Sequence, residues 1–333
     1  MNTLINERVR IGTHSGSFHA DDALATFFLT TLDEYKEAKV IRTRDPNILN
    51  DLDVVFDVGG EYNHETKRYD HHQKGFNETF SDEYTTKLSS AGLIYKHYGK
   101  KIVAKLINWD IEDPKTETLY QRLYKTFVEC VDGNDNGIPQ YDTDVKATYI
   151  DNTNISARVA RLNPSWNGDN SEDTYYKQFH KAVEMIGNEF KDILFACANQ
   201  WMPARDIVVN SIKKRHEIDE SGSIVVLDTY CPWKEHLFII EKELGIDKNE
   251  LLYVVYTDSG KSARVQAIPI NPNSFTSRNP LPEEWRGLRD EKLSETTGIQ
   301  DCVFVHNTGF IGGNKTLDGA IEMAKLALKM NKK

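Results

Sequence analysis

Short apolar runs alternate with longer segments of helical periodicity along the first part of the chain. Runs at residues 10–13, 39–43 and 53–56 have the length of strands, whereas residues 20–32 repeat apolar side chains at helical spacing. Strands that alternate with helices favour a mostly parallel sheet with helices on both faces. The pattern therefore predicts an α/β fold for this region.

The later pattern predicts a second, smaller α/β region joined by a long helix. We expect helices at 89–98 (closed by Gly99), 102–109, 118–131, 174–201, 206–218 and 316–330, and strands at 66–70, 223–228, 236–240, 251–256, 263–268 and 302–305. A chain of 333 residues is too long for one ordinary core. We therefore predict a first domain at 1–173, a connecting helix at 174–204 and a smaller domain at 205–333.

Composition narrows the class of protein. Hydrophobic residues make up 39% of the chain, and no apolar run approaches the roughly 20 residues of a membrane helix. The four cysteines form no C-x-x-C pair, which favours reduced thiols and an intracellular location in the cytoplasm or nucleus. The short polar start predicts no signal peptide. The net charge of −10 argues against a protein that coats nucleic acid.

Histidines and aspartates cluster at the ends of the predicted elements. They are His14, His19 and Asp21 around the first helix, Asp57 after the third strand, Asp70, His71 and His72 after the next, and Asp132 after a helix. The carboxyl ends of parallel strands are where sites form in such sheets. Each residue alone is more often structural, and a helix cap with a surface turn is the alternative, but the combination predicts a metal centre.

The acidic residues of this set need cations. Two carboxylates ~4 Å apart repel by roughly 4 kcal/mol at an effective dielectric of about 20. Histidine and aspartate without cysteine suit Mn²⁺, our first choice, or Mg²⁺ or Co²⁺. Because the ligands exceed what one ion uses, we expect two cations about 3.5–4 Å apart, bridged by Asp57.

The same residues resemble the motifs of the DHH phosphoesterase superfamily, whose members have two domains and a metal pair. The usual first motif places three residues between His and Asp, whereas here four residues separate His14 from His19. This departure, with Tyr69-Asp70-His71-His72-Gln73, Arg264 to Pro269, Trp285 to Arg289 and Gly309 to Gly313, resembles the Myg (melanocyte proliferating gene product) branch. The resemblance covers nearly the whole chain.

The resemblance implies a 3′–5′ exoribonuclease that acts on single-stranded RNA from an end, in the nucleus and mitochondria. It implies that His14, His19 and Asp57 hold one cation and that Asp21, Asp57, His71 and Asp132 hold the other. His72 would contact the scissile phosphate, and Asp70 would orient the histidine pair. Hydrolysis of small phosphate compounds and non-enzymatic RNA binding are the alternatives, and the oligomeric state, a homodimer included, is left open.

The second half is expected to bind the substrate. The candidate phosphate contacts are Arg264, Arg286, His306, Gly312, Gly313 and Asn314. Arginine pairs two N–H groups with a phosphate, and glycines near a helix start can present backbone N–H groups. A plain strand-to-helix turn explains the glycines equally. Phe275, Trp285 and Phe310 could stack on a base or pack in the core.

Overall fold

The computed structural model describes residues 8–141, 143–145 and 147–331. The chain divides into two compact units, Met1–Cys197 and Ala198–Lys333. Each unit contains one mixed five-stranded sheet together with helices. The prediction of an α/β protein is therefore confirmed. In the described part of the chain, no helix has the length and apolarity that crossing a membrane requires.

The sheet of the first unit is parallel except at one edge. Its strands are β1 (Arg10–Thr13), β2 (Lys39–Arg42), β3 (Val54–Phe56), β4 (Tyr62–Asn63) and β5 (Arg68–Tyr69), in the order β2-β1-β3-β5-β4. Strand β1 pairs parallel with β2 and β3, β3 pairs parallel with β5, and only β4 runs antiparallel. The three longer strands therefore end at a common edge.

Helices surround this sheet. They are α1 (Ala20–Thr31), α2 (Pro46–Asn50), α3 (Ser90–Ile107), α4 (Pro114–Leu123), α5 (Glu129–Asp135), α6 (Ile155–Ala160) and α7 (Glu172–Ala196), with π-helical turns at Tyr124–Val128 and Cys197–Trp201. Val55 packs with Leu49 and Leu52 beside α2. On the opposite face, Tyr69 lies against Tyr98 of α3, with 6.2 Å between ring centroids. Phe56, which pairs with Tyr69, and its neighbour Val55 therefore point to opposite faces of the sheet.

Helix α3 runs through Gly99, so the predicted end at that glycine is wrong. A Cβ at Gly99 would lie 2.8 Å from the rings of Tyr95 and Tyr120. The glycine is therefore explained by close aromatic packing. The helix ends at Asn108, which adopts a left-handed φ of 56°.

Helix α7 packs in the core of the first unit, although residues 174–204 were predicted to connect two domains. The rings of Phe179 and Phe18 are 5.6 Å apart, and those of Phe190 and Phe28 are 4.9 Å apart. Most of the predicted connecting helix therefore helps to hold α1, which carries several candidate ligands.

The sheet of the second unit is mostly antiparallel. Its strands are β6 (Ile224–Val226), β7 (Tyr253–Thr257), β8 (Ala263–Ala267), β9 (Cys302–Val305) and β10 (Ile311–Asn314), in the order β6-β7-β8-β10-β9. The helices are α8 (Met202–Lys213), α9 (Arg215–Ile218), α10 (Trp233–Leu244), α11 (Asp290–Thr297) and α12 (Leu317–Met330). Two apolar clusters cover the sheet, one with Val254 and one with Val255.

Residues 236–240, predicted as a strand, lie within α10. The buried positions of this helix follow the spacing of one helical face; they are Trp233, His236, Leu237, Ile240 and Glu241. A short apolar run cannot distinguish a buried strand from a helix, and the left-handed Gly245 that ends α10 was the missing signal.

Candidate metal centre

The candidate ligands meet at the carboxyl ends of the parallel strands. In the register of the sheet, Ile11 pairs with Val54 and Phe56 pairs with Tyr69. The residues that follow these strands therefore emerge side by side, and they include His14, Asp57 and Asp70.

Asp57 lies at the centre of the cluster. Its Oδ2 is 3.1 Å from Nε2 of His14, and its Oδ1 is 3.3 Å from Nε2 of His71. Its backbone is left-handed, with φ at 58°, which aspartate tolerates better than most residues. The two carboxylate oxygens thus contact histidines from two different strand ends.

The loop from His14 to His19 is fixed by hydrogen bonds to residues of other segments. The backbone N–H of Phe18 donates to Oδ1 of Asn163, and Nδ2 of Asn163 donates back to the carbonyl of Phe18, each at 2.9 Å. Arg42 donates to the carbonyl of Gly16 at 2.8 Å. Three strong hydrogen bonds therefore fix a loop that lacks regular structure.

The start of α1 brings two more carboxylates. The N–H of His19 donates to Oδ1 of Asp22 at 2.9 Å, which closes a capping box, and Oδ2 of Asp22 lies 3.3 Å from Nε2 of His14. Asp21 is completely buried. The positive end of the helix dipole favours negative charge at both positions.

Asp70 orients the segment that carries the two histidines. Its Oδ1 accepts from the N–H of His71 at 2.8 Å and from Nδ1 of His72 at 2.7 Å, and its Oδ2 accepts from Gly60 at 2.6 Å. The side chain of His72 is 63% exposed. Asp70 thus accepts hydrogen bonds from protein groups on both oxygens, and the side of the His72 ring opposite Nδ1 is exposed to solvent.

His71 is held by an amide that sequence reasoning missed. Its Nδ1 donates to Oδ1 of Asn136 at 3.3 Å, and Asn136 in turn donates to the carbonyls of Lys87 and Asp132, each at 2.9 Å. This arrangement directs Nε2 of His71 at the carboxylates. A metal-binding histidine typically donates its other nitrogen in this way.

Asp135, not Asp132, reaches His71. Oδ2 of Asp135 is 3.2 Å from Nε2 of His71. Asp132 accepts instead from Oγ of Ser89 at 2.6 Å and from the hydroxyl of Tyr124 at 3.1 Å. Asp132 was expected as a ligand, but its carboxylate accepts from protein groups and belongs to none of the candidate metal-binding groups found among the described residues. Both aspartates lie within α5, one turn apart, so spacing alone could not choose between them.

Four groups of side chains place ligand atoms within 4.8 Å of one another in the described part of the chain. They are His14, His19 and Asp57; Asp57, His71 and His72; His19, Asp21 and Asp135; and Asp21, Asp22 and Asp57. The predicted His14, His19, Asp21, Asp57, His71 and His72 are thus brought together. Asp22 and Asp135 join them, and Asp132 does not.

The cluster carries strongly perturbed acids and bases. Burial, followed by the charges of Asp57 and Asp135, raises the pKa of Asp21 well above its usual value. Burial raises the pKa of Asp22 to about 7. Burial opposes ionisation of Asp57, but hydrogen bonds from His14 and His71 outweigh it and lower the pKa of Asp57. Burial likewise opposes protonation of both histidines, yet contacts with Asp57 leave each pKa raised.

Divalent cations fit this donor set. Both oxygens of Asp21 are buried and lack a hydrogen-bond partner, while Oδ2 of Asp22 and Nε2 of His71 have only ion-pair contacts within the cluster. Buried polar groups are nearly always satisfied, so unsatisfied carboxylate oxygens in such a cluster fit a site that binds a cation. Nitrogen and oxygen donors without sulfur suit Mn²⁺, Mg²⁺ or Co²⁺. A cavity of about 610 Å³, lined in part by His19, His71 and His72, opens beside them.

In the second unit, the two predicted arginine contacts have protein partners. Arg264 forms an ion pair of 2.5 Å with Asp258, and Nε of Arg286 donates to the carbonyl of Leu281 at 3.0 Å. Arg264 also lies over the ring of Phe304, 5.4 Å from its centroid. Both arginines therefore contact protein groups, and their contact with a phosphate stays a prediction.

The predicted glycine loop is partly strand. Gly312 and Gly313 belong to β10, and a Cβ on Gly313 would lie 2.6 Å from Nη1 of Arg264. Asn314 is completely buried; it donates to the carbonyl of Gln300 at 2.7 Å and accepts from the N–H of Thr316 at 2.9 Å. Its amide is therefore engaged at the start of α12. His306 is exposed, and its Nδ1 accepts from the N–H of Thr308 at 3.2 Å.

The three candidate stacking aromatics differ in exposure. Trp285 is 1% exposed and lies in the apolar core. Phe275 is fully exposed, and both Phe275 and Phe310 line a cavity of the second unit. Trp285 is thus a packing residue, and the other two are accessible.

The fold and the cluster define an α/β protein with a candidate metal centre at the carboxyl edge of a parallel sheet. The family model described as an uncharacterised protein family (UPF0160) and named for the MYG1 exonuclease matches residues 10–328. The chain belongs to this MYG1 family, as the resemblance implied.

Curated relatives match over almost the whole chain. The MYG1 protein of Dictyostelium discoideum is 49% identical and covers 97% of this chain and of its own. The MYG1 exonuclease of Mus musculus is 48% identical over 96% of this chain and 84% of its own, and that of Homo sapiens is 47% identical over 96% and 85%. Identity at this level over both units indicates a common fold.

Proposed function

We propose that this chain is a metal-dependent phosphodiesterase of the DHH type that removes nucleotides from the 3′ end of single-stranded RNA. The observation that carries the proposal is Asp57, whose two oxygens contact His14 and His71 at 3.1 and 3.3 Å. A carboxylate held between two sets of ligands suits a bridge between two cations. Relatives from mouse and human bear the name MYG1 exonuclease, which supports nuclease activity.

His14, His19 and Asp57 would hold one cation, and Asp21, Asp57, His71 and Asp135 would hold the other. Bound there, such ions polarise a phosphoryl oxygen and lower the pKa of a coordinated water. Asp70 fixes Nδ1 of His72 at 2.7 Å, so that Nε2 of this exposed ring is free to meet a phosphate oxygen. Asn136 keeps Nε2 of His71 directed at the carboxylates.

The test is cleavage of 5′-labelled single-stranded RNA with Mn²⁺, with Mg²⁺ or with EDTA. The wild-type protein should shorten the RNA from its 3′ end only when a cation is present, and a blocked 3′ end should protect it. Asp57→Ala and His71→Ala should each lower the rate more than about 100-fold, because even outer partners of metal ligands contribute 10–100-fold.

His216→Ala, which removes an exposed histidine from the second unit, is the matched control and should retain the wild-type rate. Full activity of both cluster variants would contradict the site, and cleavage in EDTA would contradict the metal requirement.

Short oligonucleotides, cyclic dinucleotides or other small phosphates are a second candidate substrate class. The net charge of −10 favours them, because long polyanions are repelled more strongly than small ones. Comparison of kcat/KM for a dinucleotide and for a long RNA decides between the two. We place the protein in the cytoplasm or nucleus, or in the mitochondrion as the family resemblance implies.

A further inference from the structure

The second unit contains a cavity of about 530 Å³ to which the proposed function assigns no role. Its lining includes Gln266 of β8, Lys234 of α10, and Phe275, His306 and Phe310 from loops. The described lining residues include no carboxylate, and Lys234 supplies an ammonium group. The volume lies in the range of small-molecule sites, and the charge admits an anionic ligand.

Two aromatic groups suit the cavity to a flat ring. The rings of His306 and Phe310 are in edge contact, with centroids 4.8 Å apart, and both line the cavity. Phe275 is fully exposed although it is a phenylalanine, and therefore gains nothing from packing in this structure. Exposed aromatic rings beside a cavity are the usual means of stacking on nucleobases.

The polar groups of the cavity offer donors. Gln266 is only 8% exposed, and its Oε1 accepts from the hydroxyl of Tyr256 at 3.0 Å. Among the described residues, no acceptor is seen for the two N–H groups of this amide, so they can donate to a ligand. Nδ1 of His306 accepts from the N–H of Thr308 at 3.2 Å, so the neutral ring carries its proton on Nε2.

We propose that this cavity is a nucleobase pocket, in which Phe275 stacks on the base, Gln266 donates to a carbonyl oxygen on its edge and Lys234 meets the attached phosphate. The N–H groups of Gln266 need a carbonyl oxygen as acceptor. Uracil and guanine have one and adenine has none, so the pocket should favour uracil or guanine over adenine. The choice of a nucleotide among flat anions rests on the proposed function.

The test is equilibrium binding of uridine and adenosine 5′-monophosphates to the full chain in EDTA, followed by ligand-observed NMR. EDTA removes cations that would otherwise hold phosphate at the metal centre. The wild-type protein should bind the uridine nucleotide more tightly, and Phe275→Ala should weaken binding by about fivefold or more. Gln266→Met should reduce the preference for uridine over adenosine.

Trp166→Ala, which removes a side chain 91% exposed in the first unit, is the matched control and should bind like the wild type. Equal binding of ribose 5-phosphate, or no loss in Phe275→Ala, would overturn the pocket. The RNA cleavage assay is separate. A protein that binds uridine monophosphate but cleaves no RNA contradicts the proposed function alone, whereas one that cleaves RNA but binds no nucleotide in EDTA contradicts the pocket alone.

Discussion

Both units bury charged side chains, and they treat them differently. In the second unit, the side chains of Arg278 and Glu241 are 4% and 6% exposed, and Arg278 donates to both oxygens of Glu241 at 2.6 and 2.9 Å. It also donates to the carbonyls of Pro269 and Leu251 at 3.1 Å. In the first unit, Asp21 is completely buried, and neither of its oxygens has a hydrogen-bond partner.

The difference separates structural burial of charge from functional burial. A buried pair whose atoms are all satisfied is compatible with folding alone. Buried carboxylates without hydrogen-bond partners are unfavourable unless a cation offsets their charge, so this cluster is suited to hold a cation. The buried pair of Arg278 and Glu241 thus needs no ligand, whereas the candidate metal centre is an energetically unfavourable part of the first unit.

The largest effect should come from breaking the satisfied pair. Arg278→Met leaves the carboxylate of Glu241 buried and unpaired, and should lower the free energy of unfolding by about 3–5 kcal/mol. Chemical denaturation monitored by circular dichroism measures it. The control is Arg205→Met, which removes a surface pair with Glu243 and should change stability by less than about 1 kcal/mol. Equal loss of stability in both variants would show that the buried pair of Arg278 and Glu241 has no special role in the stability of the second unit.

The next effect concerns the amide that directs His71. Asn136→Ala should weaken Mn²⁺ binding by about 10–100-fold, because the ring loses its hydrogen-bond acceptor. Asn136→Asp keeps the acceptor for His71 but loses the donations to the carbonyls of Lys87 and Asp132, and should recover part of the affinity in isothermal titration. Asn134→Ala is the control, since Asn134 bonds back to Cys130 of its own helix. Unchanged affinity in Asn136→Ala would show that His71 is positioned by other contacts.

Asp21→Asn should stabilise the metal-free protein by about 0.5–2 kcal/mol while removing its stabilisation by Mn²⁺. The amide has no charge to desolvate, but it is a weaker ligand. Thermal unfolding with and without Mn²⁺ measures both effects. Asp33→Asn, at an exposed position, should change neither. Loss of stability in metal-free Asp21→Asn would mean that the carboxylate has a structural role after all.

The smallest effect is on pH dependence. The pKa of Asp22 is raised by burial to about 7, so below pH 7 this carboxyl keeps a proton that a neighbouring cation must displace. Mn²⁺ affinity should therefore rise by up to about tenfold per pH unit toward pH 7 and rise less steeply above it. Asp22→Asn should flatten this dependence. Titrations between pH 6 and 8 test the sign, and an affinity that falls with rising pH would contradict it.

Sequence alone located the edge of the sheet but not every member of the site. His14, Asp57 and His71 follow strands, so the topology of a parallel sheet brings them together. Asp135 lies beside His71 while Asp132 accepts from Ser89, a residue 43 positions away along the chain. Contacts of that range leave no mark in local spacing.

The same limit explains Asn314 and Asn136. Asn314 follows a glycine pair and so resembled a phosphate contact, yet its amide bonds to Gln300 and Thr316. Asn136 belongs to no predicted motif, yet it bonds to His71 across 65 positions. Motif spacing identifies the residue types, whereas hydrogen bonding in three dimensions assigns their contacts.

The left-handed backbone of Asp57, at φ 58°, bears on how this site can evolve. Glycine, asparagine and aspartate are the residues that adopt such a conformation without much strain. Of these three residues only aspartate carries a charge, so neither glycine nor asparagine keeps both the backbone conformation and the carboxylate at this position. Asparagine or glycine there would preserve the chain path and abolish the bridge between ligand sets. Inactive descendants should therefore arise in one step and still fold.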